Sequence, residues 1–119
     1  MLQSAKLVVA TIDPFKIDEV LEALRDVGAQ APTVTEARSY RRRGRTEIYR
    51  GVEYTPEFVR MLRVEVDAPS GKVDQVIDAI VKATGPSQTG DEWIDVYCVE
   101  RHAPLRLVDK DRTPPLRAA

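Results

Sequence analysis

Two apolar stripes of helical period alternate with strand-like runs along this chain, and that order leaves few ways to build one core. Ile17, Val20, Leu21 and Leu24 recur at i, i+3, i+4 and i+7, and Val73, Val76, Ile77, Ile80 and Val81 follow the same 3.6-residue period. Asp13 precedes the first stripe as a natural N-cap, with Pro14 at the first helical position and Gly28 as the stop. Ser70 caps the second stripe and Gly85-Pro86 ends it. Residues 7–12 are apolar on both alternating faces, which predicts a strand covered on both sides and central in a sheet. Residues 33–40 are rich in β-formers but carry Glu36 and Arg38, so they predict a strand with a wet face or an edge strand. Residues 59–66 set Leu62, Val64 and Val66 on one face against Met61, Arg63 and Glu65 on the other, a half-buried strand, and residues 93–99 supply the last one. The order β-α-β-β-α-β predicts an α+β domain: a four-stranded antiparallel sheet with both helices on one face, the ferredoxin-like arrangement. Two helices cannot cover both sides, so an apolar second face would call for a partner subunit.

Between the second and third strands runs a long polar segment, residues 40–57, that no core demands. Loops beyond roughly 12 to 15 residues are uncommon in compact domains and are usually functional or disordered. Arg38, Arg41, Arg42, Arg43, Arg45 and Arg50 crowd into and beside it, with Glu47 as the one acid among them. Guanidinium forks in such a run suit phosphate or a small planar anion, and the bland reading is a solvated face. The whole chain nevertheless carries 18 basic against 19 acidic residues, a net charge of −1, so it has no general electrostatic preference for nucleic acid or anionic membrane. Its 119 residues, 43% hydrophobic, suit a single domain over residues 1–106, with a polar tail at 107–119 that reads as flexible or ordered by a partner.

Catalysis finds no support in the residue pattern. His102 has no carboxylate or thiol beside it in sequence, so neither a nucleophile–base constellation nor metal-ligand spacing is present, and no metal is predicted. Cys98 is the single cysteine, which excludes an intramolecular disulfide; its position in the last strand predicts a place in the core or a subunit interface, and Trp93 reads similarly. No signal-peptide pattern opens the chain and no run approaches the roughly 20 apolar residues of a membrane span, so a cytoplasmic location is expected, with membrane contact only through a partner.

Four segments together resemble the PII signal-transduction proteins: Pro14-Phe15-Lys16, Thr33-Val34-Thr35-Glu36, Thr46-Glu47-Ile48-Tyr49-Arg50-Gly51-Val52-Glu53-Tyr54, and Arg63-Val64-Glu65. The resemblance spans about residues 5–106, and its loop portion is the specific part. It implies a homotrimer, adenine-nucleotide sites in the clefts between subunits, and a mobile loop at about residues 40–57, called the T-loop, that docks on a target transporter or enzyme. By the same resemblance Thr33 and Glu65 face the adenine and ribose, and Gly90 and Asp91 belong to a phosphate-facing loop at about residues 85–92. Arg41 and Arg42 lie at the T-loop base, Arg101 and Arg106 on the last strand, and Arg50, Glu53 and Tyr54 in the partner-contacting or modifiable part of the loop.

Departures from the family pattern bear on which ligand is sensed. In the family's 2-oxoglutarate mode a glutamine at the T-loop base helps hold magnesium and a lysine opening the third strand pairs with the ketoacid; here Arg42 and Met61 stand there. A guanidinium cannot ligate a cation, and a thioether cannot neutralise a carboxylate. The phosphate loop reads Gln88 and Trp93 at its usual basic positions and Glu92 at its second glycine, and Pro104 replaces an arginine. The expectation is an atypical PII-like sensor of ADP, AMP or ATP, favouring fewer phosphates, with bicarbonate as the candidate small anion beside it and a role in carbon or energy regulation. The alternatives are a nitrogen-regulatory PII protein controlling an ammonium transporter or nitrogen-assimilation enzyme, an acylphosphatase-like enzyme, a CutA-type metal-tolerance trimer and an RNA-contacting module.

Overall fold

The computed structural model describes residues 5–29, 31–40, 47–49, 51–54, 58–87, 90–103 and 105. Strands β1 (Ala5–Ile12), β2 (Thr33–Tyr40), β5 (Phe58–Pro69) and β6 (Trp93–Val99) form one antiparallel sheet in the order β2-β5-β1-β6. Helices α1 (Ile17–Asp26) and α2 (Val73–Thr84) supply the crossovers, so the βαββαβ, ferredoxin-like topology is the observed one. The apolar run of β1 is indeed central, and β2, with its charged residues, is an edge.

Register decides which residues form the core. Val8 lies opposite Val66 and Val96, and Ala10 opposite Val64 and Ile94, so these positions share the helix-side face. Val20 and Leu24 of α1 and Val76 and Ile80 of α2 complete a buried cluster with Val8, Ala10, Ile12, Val64, Val66 and Ala68. The helical stripes read from sequence are therefore the stripes that pack, except at their margins: Val81 stands 52% exposed and Leu21 lies outside the cluster. On the opposite face Val9 and Met61 are also buried, but around them stand Thr33, Glu65, Asp95, Trp93 and Tyr97, a mixed surface rather than an apolar one.

Helix ends follow local chemistry with two refinements, both 3-10 turns at the helix starts. The Asp13 carboxylate accepts the Phe15 N–H at 2.9 Å, as an N-cap should, but the first turn, Pro14–Lys16, is a 3-10 helix that leads into α1. At the other end Gly28 takes φ 80°, the Gly28 N–H donates to the Arg25 carbonyl and the Ala29 N–H to the Leu24 carbonyl at 2.9 Å, the paired bonds of a Schellman stop. Ser70 does not cap α2 directly: Ser70–Lys72 is a second 3-10 turn, and Lys72 occupies the N-cap of the helix.

The segment between β2 and β5, where the sequence predicts only a loop, contains a hairpin. Strands β3 (Glu47–Tyr49) and β4 (Val52–Tyr54) pair antiparallel, with Tyr49 opposite Val52 and Gly51 at φ 79° in the turn. A glycine turn between two short runs containing Ile, Tyr and Val is hairpin chemistry, hidden by the polar residues that interrupt it. At the sheet's end Tyr40 and Phe58 pack edge to face with ring centroids 5.5 Å apart. Cys98 is exposed on the edge strand β6, not in the subunit's core, and the Lys6 ammonium approaches its sulfur at 3.2 Å. The tail at 107–119 lies outside the described residues.

Removing core volume should be costly where removing surface is not. Leu24→Ala is expected to destabilise the fold by about 2–5 kcal/mol in urea denaturation, whereas Phe15→Ala, at a side chain 93% exposed, should stay within about 0.5 kcal/mol.

Candidate functional site

The sheet register places the first pair of expected site residues together. Thr33 on β2 lies directly opposite Glu65 on β5, both on the face away from the helices, so a hydroxyl and a carboxylate stand side by side at the β2 edge. Glu65 is half-buried, and Oε1 lies 3.2 Å from Arg63 Nε. That contact is electrostatic rather than a hydrogen bond, because Nε, shielded from solvent, has no partner of suitable geometry among the described residues.

The loop residues lie elsewhere. Gly90 takes φ 76° and donates its N–H to Ser87 Oγ at 3.1 Å, and half-buried Asp91 follows. Trp93 starts β6 opposite Thr11, at the far edge from β2. Three strand spacings of about 4.8 Å put roughly 14 Å between the two edges. One subunit therefore does not bring Thr33 and Glu65 to the same place as Gly90 and Asp91. Arg101 is exposed just after β6. Arg41, Arg42, Arg50 and Arg106 lie outside the described residues, and of Glu53 and Tyr54 only the backbone, in β4, is described.

Glu92 is the residue whose role sequence reasoning missed. It reads there only as a lost glycine, yet its side chain is 10% exposed and both of its oxygens are used. Oε1 meets the Lys16 ammonium at 2.6 Å, and Oε2 accepts the Asp13 N–H at 2.9 Å. The loop before β6 is thereby fastened to the first turn before α1. Lys16 lies 76 positions away in sequence, so no local spacing could have revealed the pair. Behind the loop an apolar cleft of about 310 Å³ is lined by Ile77, Val81, Ser87, Glu92 and Trp93 among others. A second, polar depression of about 480 Å³ lies between Arg38, Arg60 and Glu36. Neither contains Thr33 or Glu65.

Among the described residues no group of three or more His, Cys, Asp or Glu side chains is arranged to hold a metal ion, and no helix is long and apolar enough to cross a membrane. His102 sits 3.8 Å from Asp67, both exposed, with no nucleophile in the pair.

Residues 5–103 match the family model for Nitrogen regulatory protein P-II. The chain belongs to the P-II family. Over 107 residues it is 43% identical to the Nitrogen regulatory protein P-II of Rhizobium etli, covering 89% of this chain and 96% of that protein. The Nitrogen regulatory protein P-II of Synechocystis is 42% identical over the same shares. Nitrogen regulatory protein P-II 1 of Escherichia coli is 38% identical, again over 89% of this chain and 96% of its own length. P-II proteins are signalling regulators rather than enzymes; they bind adenine nucleotides and act as homotrimers on partner proteins.

The clamp at Glu92 should matter more for stability than the surface pairs. Glu92→Ala strands the Lys16 ammonium, 27% exposed, and the Asp13 N–H, so a loss of about 2–4 kcal/mol is expected in chemical denaturation. Arg60→Ala, which breaks a 3.3 Å pair with Glu36 between two highly exposed side chains, should cost less than about 1 kcal/mol.

Proposed function

We propose that this chain is a cytoplasmic P-II regulator whose homotrimer binds adenine nucleotides of low phosphate count in the clefts between subunits. It signals that occupancy to a transporter or enzyme through residues 40–57. The observation that carries the reading is the separation of the expected site residues towards opposite sides of one sheet, Thr33 and Glu65 on β2 and its neighbour β5, the others at and beyond β6. Thr33 and Glu65 at the β2 edge offer a hydroxyl and a carboxylate, chemistry that suits a ribose and an adenine amino group. Gly90, Asp91 and Arg101, at and beyond the β6 edge, would come from the neighbouring subunit. Arg41, Arg42 and Arg106 complete the basic part of the site, and bicarbonate is the small anion that this arginine cluster would accept beside the nucleotide. Arg50, Glu53 and Tyr54 lie in the segment that would meet the target.

Met61 supports a ligand other than magnesium-ATP with 2-oxoglutarate. It stands where the family holds a ketoacid-pairing lysine, and it is 3% exposed, so this position offers an incoming carboxylate neither charge nor access. A second reading, control of an ammonium transporter or nitrogen-assimilation enzyme, is favoured by the names of the relatives, all of them nitrogen regulatory proteins. The two readings differ in the ligand they require.

Titration calorimetry on the purified protein separates them. ADP and AMP should bind without magnesium or 2-oxoglutarate, bicarbonate should alter the nucleotide affinity, and Thr33→Ala or Glu65→Ala should weaken ADP by about tenfold, the loss of one hydrogen bond to a charged or polar partner. Tight binding of magnesium-ATP only with 2-oxoglutarate, with no heat from ADP or AMP, would overturn the proposal in favour of the nitrogen reading.

A further inference from the structure

We propose that Glu92 sets the number of phosphates this chain accepts, an inference that rests on the adenine-nucleotide reading above. Residues 85–92 contain no lysine or arginine, so the loop itself offers no cation to a phosphate chain. Lys16 is a cation that the fold brings to it, and Glu92 consumes that charge through the 2.6 Å pair. The Glu92 carboxylate cannot turn away, because its second oxygen is held by the Asp13 N–H at 2.9 Å and the side chain is nine-tenths buried. The backbone offers no substitute at Gly90, whose N–H is already given to Ser87 Oγ. Held by Glu92, the Lys16 charge is balanced, so the pair offers a phosphate chain no net attraction.

Such a loop end discriminates by charge. A triphosphate brings one more negative charge than a diphosphate, and that charge falls at the distal end of the ligand. One unit charge acting on another across roughly 10 Å, through an effective dielectric of about 40, changes an equilibrium constant about fourfold. Glu92 therefore lowers ATP affinity relative to ADP while leaving the base and ribose contacts untouched. It is a specificity-determining residue that acts by holding Lys16 neutralised.

The test is a charge cycle read as the ratio of ATP to ADP affinity, by calorimetry on the full chain at low ionic strength. Glu92→Gln keeps an acceptor for the Asp13 N–H and frees the Lys16 charge, so the ratio should rise about fourfold. Lys16→Met leaves the carboxylate uncompensated, so the ratio should fall by a similar factor. The double variant restores the formal charge of the wild type and should restore its ratio. A residue with only a structural role would weaken both nucleotides together and lower the melting temperature without moving the ratio, and that result overturns the proposal. Salt gives an independent check: the changes of ratio in Glu92→Gln and in Lys16→Met should both shrink as charges are screened, and salt-independent changes also overturn the proposal. Failure of the underlying reading looks different, since the wild type would then bind neither nucleotide, and the proposal would fall with it.

Discussion

The pairing of β1 with β5 on one side and β6 on the other sets everything else in this subunit. Val8 opposes Val66 and Val96, and Ala10 opposes Val64 and Ile94, so one register delivers a matched apolar layer to both helices. Because side chains alternate with a period of two, a slip by one residue would turn Val8, Ala10 and Ile12 outward and carry Thr11 into the core. The same register aligns the outer face, where Thr33, Glu65, Val9 and Asp95 form one row across the four strands. The placement of the polar residues that a ligand would meet is thus a by-product of how the apolar ones pack.

A second tie joins the two halves of the chain at the end of the sheet. Asp13 caps the turn before α1 with its side chain and gives its own N–H to Glu92, while Lys16, in the same turn, holds the other Glu92 oxygen. Each of these groups is polar and partly or largely buried, so each needs its partner more than an exposed pair would. The exposed pair Arg60–Glu36 has the same charges and a longer distance, yet solvent competes for both ends. Burial makes Glu92 a structural residue in a loop whose family role concerns ligands. It also explains why a carboxylate is tolerated at a position where the family pattern has a glycine.

Legibility in the sequence followed the range of the interaction. The two helices, their Asp13 and Gly28 boundaries, the central β1 and the wet edge β2 were readable because each depends on residues within a turn or two of one another. The β3–β4 hairpin was not, since its strands are three residues long and interrupted by charge, too short for periodicity to register. For Cys98 the sequence offered the core or a subunit interface, and the fold removes the first: an apolar-looking strand at the sheet edge is covered only where a helix reaches it. Of the site, the Thr33–Glu65 adjacency follows from the register, which the sequence pattern does not state, and Glu92–Lys16 joins positions that no local motif connects. The resemblance to P-II proteins pointed to Thr33 and Glu65 as residues of interest, but that they stand side by side appears only in the sheet.

Dividing a site between opposite edges of the same fold carries a thermodynamic consequence. A ligand that contacts the β2 edge of one copy and the β6 edge of another binds only the assembled form, so occupancy and subunit association become one linked equilibrium. The mixed outer face fits that arrangement, because Arg63, Glu65 and Asp95 are costly to bury without partners and a purely apolar seam would close irrespective of ligand. Charge at such a seam makes its closure sensitive to the charge of what it encloses. On the proposed reading, the residues that hold the loop before β6 in place would matter twice, once for the stability of the subunit and once for the field that an enclosed anion would meet.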